Sequence, residues 1–298
     1  MGYLFLTISL IAGVTKGYCG KKTSGYISGY KTAMLANTIR MMLCILIGMF
    51  VIIAGGNISQ LRPNPTLLAI SALSGIATSV FVVSWLVVVK KSAYMMVDVF
   101  MMLGVLVPII IGQFVFKEET KLTQWMGIGV LFVATLIMCS YNNSIKEKMS
   151  ISTLILLTVC GVSNGLADFS QKLFIKQLVD IPVSVFNFYT YIFSSIVLGG
   201  FYVIFSMRKG SYVTENSSKL KYIFGYIAVM SICLFVNSYF KTKAAGFLNS
   251  AQLYPMNQGL SLTLSSIMSA TLFHEHMSLK CIIGLVVSFV GLLIINVL

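Results

Sequence analysis

Gly161-Val162-Ser163-Asn164-Gly165-Leu166-Ala167-Asp168-Phe169-Ser170-Gln171-Lys172 is the stretch whose reading decides the fold. It lies late in a long apolar segment that begins near Ile151. On a helix, Asn164, Asp168 and Gln171 fall at i, i+4 and i+7 and share one face. An acid in such a segment is costly in lipid and must face a partner or water, which marks a functional position. Gly161 and Gly165 form a small-xxx-small pair that admits a neighbouring backbone. Gly13-Val14-Thr15-Lys16-Gly17 carries the same pattern near the start of the chain.

The composition around this stretch excludes an ordinary soluble domain. Apolar residues make up 57% of the chain and charged residues 10%, against roughly 25% charged in a typical globular protein. Apolar runs of about 20 residues recur, each long enough for a hydrocarbon core about 30 Å thick. Lipid leaves only helices or a closed barrel, and continuous rather than alternating runs select helices. The fold class is all-α integral membrane. The net charge of +13 is not read as a nucleic-acid signal, because the lysines and arginines sit mostly between apolar runs, where they face anionic lipid. Six scattered cysteines (Cys19, Cys44, Cys139, Cys160, Cys233 and Cys281) show no metal-ligand spacing and read as small buried hydrophobes. The first apolar run lacks a cleavage-site pattern and reads as a first helix, not a signal peptide.

Ten spans are expected: about Tyr3–Cys19, Thr32–Ala54, Thr66–Val89, Ala93–Phe116, Leu122–Ser140, Ile151–Ile175, Pro182–Ser206, Leu220–Phe240, Gly246–Phe273 and Leu279–Leu298. They divide into a first five-helix repeat over 1–141, a linker over 142–150 and a second repeat over 151–298. Each half opens with the Gly-Val-(Thr/Ser)-x-Gly pattern. Each fourth span ends alike, with Phe116-Lys117-Glu118 against Phe273-His274-Glu275, and Gly127 matches Gly284 in the fifth. Five is odd, so the second copy enters the membrane in the opposite sense. That is an inverted-topology repeat, with solute expected between the copies near the midplane.

This layout resembles the drug/metabolite transporter superfamily, in its ten-helix EamA-like branch. The resemblance covers essentially the whole chain. It rests on the five-plus-five repeat, the Phe-x-Glu endings, Pro108, Arg40 and Tyr254-Pro255-Met256-Asn257-Gln258-Gly259. It implies a solute transporter with both termini in the cytoplasm, and a bacterial cytoplasmic (inner) membrane is the expected location. The Lys/Arg count of the loops points the other way, since the loops after odd-numbered spans carry more of them and the positive-inside rule then puts the termini outside. Small four-helix relatives couple through an acid in the first helix. Here that span carries Lys16 and no acid, so that mechanism does not transfer.

The candidate substrate-binding residues are intramembrane polar groups and aromatics. Asn164, Asp168 and Gln171 come from span six, with a local Asp168–Lys172 salt bridge as the bland alternative. Lys16 either snorkels to the surface or pairs across the cavity. Asp98 and Met102 come from span four, where Asp98 has Lys90 or Lys91 as interfacial alternatives. Asn257, Ser261 and Ser265, with Tyr254 and Gln258 adjacent, mark a polar face of span nine, Asn237 and Lys241, with Tyr239 between, one of span eight, and Asn187 and Tyr191 one of span seven. Trp85 in span three would join Tyr191 and Tyr254 in holding a cation if the three converge. Interfacial belts are the alternative for Trp85 and Trp125. Asp168 and Asp98 are the candidate coupling groups, through proton loading of a desolvated carboxylate. Glu118, Glu119 and Glu275 read as caps at the end of each fourth helix. His274-Glu275-His276 lacks the further ligand a metal site needs.

No phosphate-loop motif is present, so ATP is not the expected energy source, and no cofactor is expected. No nucleophile–base arrangement favours an enzyme. The expected function is secondary active transport of a small metabolite or drug-like solute, cationic or zwitterionic, by alternating access coupled to an ion, the proton being the expected coupling partner. A non-transporting receptor or assembly protein is the alternative. The glycine-rich fifth spans could dimerise or pack within the monomer.

Overall fold

The computed structural model describes residues 1–27, 30–91, 94–139, 151–208, 214–273 and 279–297. Among them the regular elements are α1 (Gly2–Ser24), α2 (Tyr30–Ala54), α3 (Pro65–Lys91), α4 (Tyr94–Phe116), α5 (Leu122–Cys139), α6 (Ile151–Gln177), α7 (Val183–Arg208), α8 (Thr214–Ala245), α9 (Ser250–Leu272) and α10 (Leu279–Val297). A short 3-10 turn spans Ile58–Gln60. The linker over 142–150 and His274-Glu275-His276 lie outside the described residues.

Stretches long and apolar enough to cross a bilayer occur in six of the helices: α1, α2, α3, α6, α7 and α8. Shorter apolar stretches occur in α4, α5 and α10. All ten expected spans form helices, six of them with a stretch long and apolar enough to cross. Helix α9 is interrupted by Asn257, Gln258, Ser261, Ser265 and Ser266. Large apolar side chains such as Leu46, Phe50, Phe114, Leu136 and Ile196 point outward, which suits a lipid solvent and not water. The chain is an integral multi-pass membrane protein.

Helix ends follow from local chemistry. Asn64 accepts a hydrogen bond from the Thr66 N–H at 3.0 Å, with Pro65 at the first helical position of α3. Gln124 accepts from the Lys121 N–H at 3.1 Å, the return half of a capping box at the start of α5. Lys117 takes φ 53 just past Phe116, a left-handed stop for α4. Several expected boundaries move, among them the end of α1, from Cys19 to Ser24. Helix α8 extends to Ala245, and α9 starts at Ser250 because Gly246 to Asn249 form a turn, with the Leu248 N–H bonded to the Ala244 carbonyl at 3.0 Å. Pro182 precedes α7, and its carbonyl accepts from the Val185 N–H at 3.0 Å.

The two halves interdigitate. Helix α1 packs on α8, α3 on α6, α2 on α7 and α5 on α10, while α4 packs closely on α6 and α1 more loosely on α9. Exchanging α1–α5 with α6–α10 in order converts every one of these pairs into another of the set or into itself. Glycines set the closest approaches. A Cβ on Gly104 would collide with the Gly161 carbonyl, and one on Gly165 with the Gly104 carbonyl. Pro108 cannot donate to the Gly104 carbonyl four residues back, so that oxygen is left facing α6. A Cβ on Gly127 would meet the Gly291 carbonyl at 2.9 Å, so this glycine face of α5 is consumed against α10 within the chain. Apolar clusters then fill the space around the polar centre. One groups Met41, Trp85, Leu86, Tyr191 and Phe235. A second groups Leu6, Met102, Tyr254 and Leu292. A third holds Phe174 stacked on Phe186, ring centroids 4.4 Å apart.

Candidate functional site

Two adjoining pockets lie where the halves meet, with about 500 and 400 Å³ of open space counted out to solvent. They share the walls Lys16, Phe81, Asn164, Asn237 and Lys241. The larger also takes Gly13 and Gly17 from α1, Trp85 from α3, Met101 from α4, and Asn257, Gln258 and Ser261 from α9. The smaller takes Thr78, Asp168, Gln171, Thr190, Tyr191 and Ser238. The polar walls thus come from six helices of both halves, each contributing between one and three residues that its own span could not satisfy in lipid.

Asp168 is the electrostatic centre. Its carboxylate accepts a hydrogen bond from the Lys241 ammonium of α8, an ion pair whose side chains are 5% and 8% exposed. The expected Asp168–Lys172 salt bridge along α6 is replaced by this cross-helix pair. Lys172 turns instead to Glu118, at 3.0 Å, and donates to the Ala245 and Leu248 carbonyls at 2.9 and 2.7 Å. The α6 backbone at Asp168 is fixed from α9, because the Tyr254 hydroxyl donates to the Asp168 carbonyl at 2.8 Å. Beside the pair, Gln171 donates to the Ser238 hydroxyl at 3.3 Å, and Ser238 donates to Asn187 Oδ1 at 3.0 Å. Asn237 donates to the Ser9 carbonyl at 2.8 Å and to its hydroxyl oxygen at 3.0 Å, tying α8 to α1. Lys16 lies 5.6 Å from the Phe81 ring centroid, on the cavity wall and away from the surface.

Of the residues singled out in the sequence, Lys16, Trp85, Asn164, Asp168, Gln171, Tyr191, Asn237, Asn257 and Ser261 line one pocket or both. Four others stand elsewhere. Met102 is packed in the apolar cluster beside Val105 and Ile109, while its neighbour Met101 faces the cavity. Asn187 is fully buried behind Ser238. Tyr239 carries the Lys243 ammonium 4.6 Å from its ring centroid. Tyr254 is buried with its hydroxyl committed to α6. Trp85, Tyr191 and Tyr254 therefore do not converge on one cation cage, and the belt reading of Trp85 gives way to a buried position against Gly20. Asp98 belongs to α4, and its side chain lies outside the described residues.

Sequence reasoning passed over Thr78, Phe81, Thr190 and Ser238. With Phe116 aligned to Phe273, Met101 and Gln258 occupy corresponding positions of the two halves.

Glu118 also departs from its expected role. It does not cap the end of α4. Its Oε2 accepts from the Ser250 N–H at 3.0 Å, so it caps the start of α9, where the helix dipole favours an anion. With Lys172 on its other oxygen, it joins α4, α6 and α9 at one mouth of the bundle. Burial pushes this carboxyl up. Hydrogen bonds from Ser250 and Lys172, with the Lys172 charge, outweigh burial and hold it below the usual glutamate range.

Among the described residues no group of three His, Cys, Asp or Glu is placed to hold a metal ion. The profile of the EamA-like transporter family matches residues 149–297. No curated protein matches the chain by sequence. A solved structure described only as a crystal structure of a protein is similar over 99% of this chain and 96% of its own, with a TM-score of 0.73 at 12% identity. That likeness concerns the fold alone.

Proposed function

Since the chain belongs to the EamA-like transporter family, we propose that it is a secondary active transporter built as an inverted repeat and working by alternating access. One observation carries this reading. In the register that aligns Gly13 with Gly161 and Phe116 with Phe273, Gly104 corresponds to Ser261 and Phe100 to Asn257. Gly161 and Gly165 close on Phe100 and Gly104 without space for a Cβ. Their counterparts Gly13, Gly17, Asn257 and Ser261 stand apart as walls of the larger pocket. The cavity thus fills the place of the contact that is made in the other half. Exchange of the two arrangements, α9 closing on α1 as α4 leaves α6, would move the cavity from one side of the bilayer to the other.

The solute that fits best is a small zwitterion. Among the described residues, two lysines and one carboxylate face the cavity together with neutral amides and the Trp85 and Phe81 rings. A purely cationic solute, the other class expected from the sequence, would meet Lys16 and Lys241 at the wall. In this reading Asp168 is the coupling group. A proton taken up by its carboxylate releases Lys241 to a solute carboxylate, and the pair reforms after release.

The test is a double-cysteine variant, Gly17→Cys with Ser261→Cys, in a background where all six native cysteines (Cys19, Cys44, Cys139, Cys160, Cys233 and Cys281) are replaced by serine. In proteoliposomes under an imposed proton gradient the reading expects a cross-link that forms during turnover and stops flux. A pair that never cross-links while flux continues would overturn alternating access through these helices.

A further inference from the structure

We infer that the groove at the α8–α9 end of the bundle is a docking site for an anionic phospholipid, independent of the central cavity. The groove is open and lies between the start of α1, the α6–α7 turn and the end of α8. Its walls include Phe5, Ile175, Val179 and Phe247, with Lys176 and Lys243.

Three features select this occupant. First, the apolar walls are open: Val179 is 80% and Phe247 64% exposed. Both sit at helix ends, where the bundle leaves the hydrocarbon for the headgroup layer. Apolar area in that position is covered by acyl carbons at a gain of roughly 25 cal/mol per Å², which a free inorganic anion cannot supply. Second, both charged lining residues are cations, in the last turns of α6 and α8, and neither Asp180 nor Glu118 lines the groove. Third, both ammonium groups retain donors for a phosphate. Lys243 rests on ring faces, 4.6 Å from the Tyr239 centroid and 5.7 Å from that of Phe5. Lys176 is 47% exposed and only 3.9 Å from Glu118, whose nearer partner is Lys172. A phosphodiester between the two lysines, with its chains along Phe247 and Val179, satisfies the cations and the apolar walls together. Basic pockets between transmembrane helices at headgroup depth have this chemistry.

The experiment titrates the purified full chain, in a neutral detergent, with fluorescent phosphatidylglycerol and separately with fluorescent phosphatidylcholine. Phosphatidylglycerol is expected to bind more tightly. Lys176→Gln should weaken it about fivefold, and Lys176→Gln with Lys243→Gln about thirtyfold, from about 1 kcal/mol per lysine. The corresponding double arginine variant should retain binding, which separates charge from packing. Millimolar inorganic phosphate should leave the lipid bound. Equal affinity for the two lipids, an unaffected double glutamine variant, loss in the arginine variant or displacement by inorganic phosphate would each overturn the assignment.

Discussion

Replacing Asp168 by Asn isolates the pair at the centre of the cavity. Asp168 and Lys241 are both nearly inaccessible, on helices α6 and α8 of the same half, and hydrogen-bond directly. Removing one partner of a buried pair costs about 3–5 kcal/mol, because the remaining charge stays buried. Asn keeps an oxygen that can accept from Lys241, so the lower figure of about 3 kcal/mol applies. At about 2–4 °C per kcal/mol for a chain of this class, Asp168→Asn should lower the apparent Tm by about 6–12 °C. The double variant Asp168→Asn with Lys241→Met removes the orphaned cation and should regain most of that loss, to within about 1 kcal/mol of the native protein. Thermal unfolding in one detergent, read for all three proteins, measures both shifts. The same single variant should lose gradient-driven accumulation and keep downhill exchange, since the solute path remains but the titrating carboxylate is gone. An Asp168→Asn protein with native Tm and native accumulation would refute the reasoning, because a buried, paired and coupling carboxylate cannot be neutralised without effect on either.

Other perturbations follow from the same geometry. Glu118 titrates below its usual range in the folded protein, so its contribution is present above the unfolded-state pKa and lost as pH falls through the folded-state pKa. Glu118→Gln should flatten that acid-side loss, measured as Tm against pH. Gly104→Val places a side chain against the Gly161 carbonyl and should cost about 1–3 kcal/mol by overpacking, read as a lower Tm. It should also favour Gly17–Ser261 cross-linking over closure of α4 on α6. Arg40 is 2% exposed, with Asn37 Oδ1 at 3.1 Å and its Nε without a partner. Arg40→Met should therefore leave Tm unchanged or raise it, because a buried charge without a carboxylate partner among the described residues costs more than a methionine of similar length.

How much of this was legible beforehand differs by residue. Asn164, Asp168 and Gln171 were readable as one face because helical periodicity is local, and an acid in an apolar run carries its own energetic flag. Asn257 and Ser261 were readable for the same reason. Met102 was misplaced by one residue against Met101, a rotation of about 100° on a helix with 3.6 residues per turn, which no apolar pattern resolves when both faces are buried. Tyr254, Asn187 and Tyr239 are polar aromatics or amides of the right type. Lys243 is a neighbour of Tyr239 one turn along α8, but the Asp168 carbonyl and Ser238, the partners of Tyr254 and Asn187, come from distant positions in the chain, which sequence spacing does not rank.

The sequence by itself determined that the chain is helical and lives in lipid, where its turns fall, and which short patterns recur in the two halves. These follow from backbone satisfaction, hydropathy and local propensity, all of which act over a few residues. Only the tertiary structure decided that Asp168 meets Lys241 and not Lys172, that Glu118 crosses to α6 and α9, and that the α4 glycine, not the α1 pair, is in backbone contact. Charged side chains in low dielectric choose the partner that satisfies the most hydrogen bonds. Which partner is within reach is fixed by how helices far apart in sequence cross.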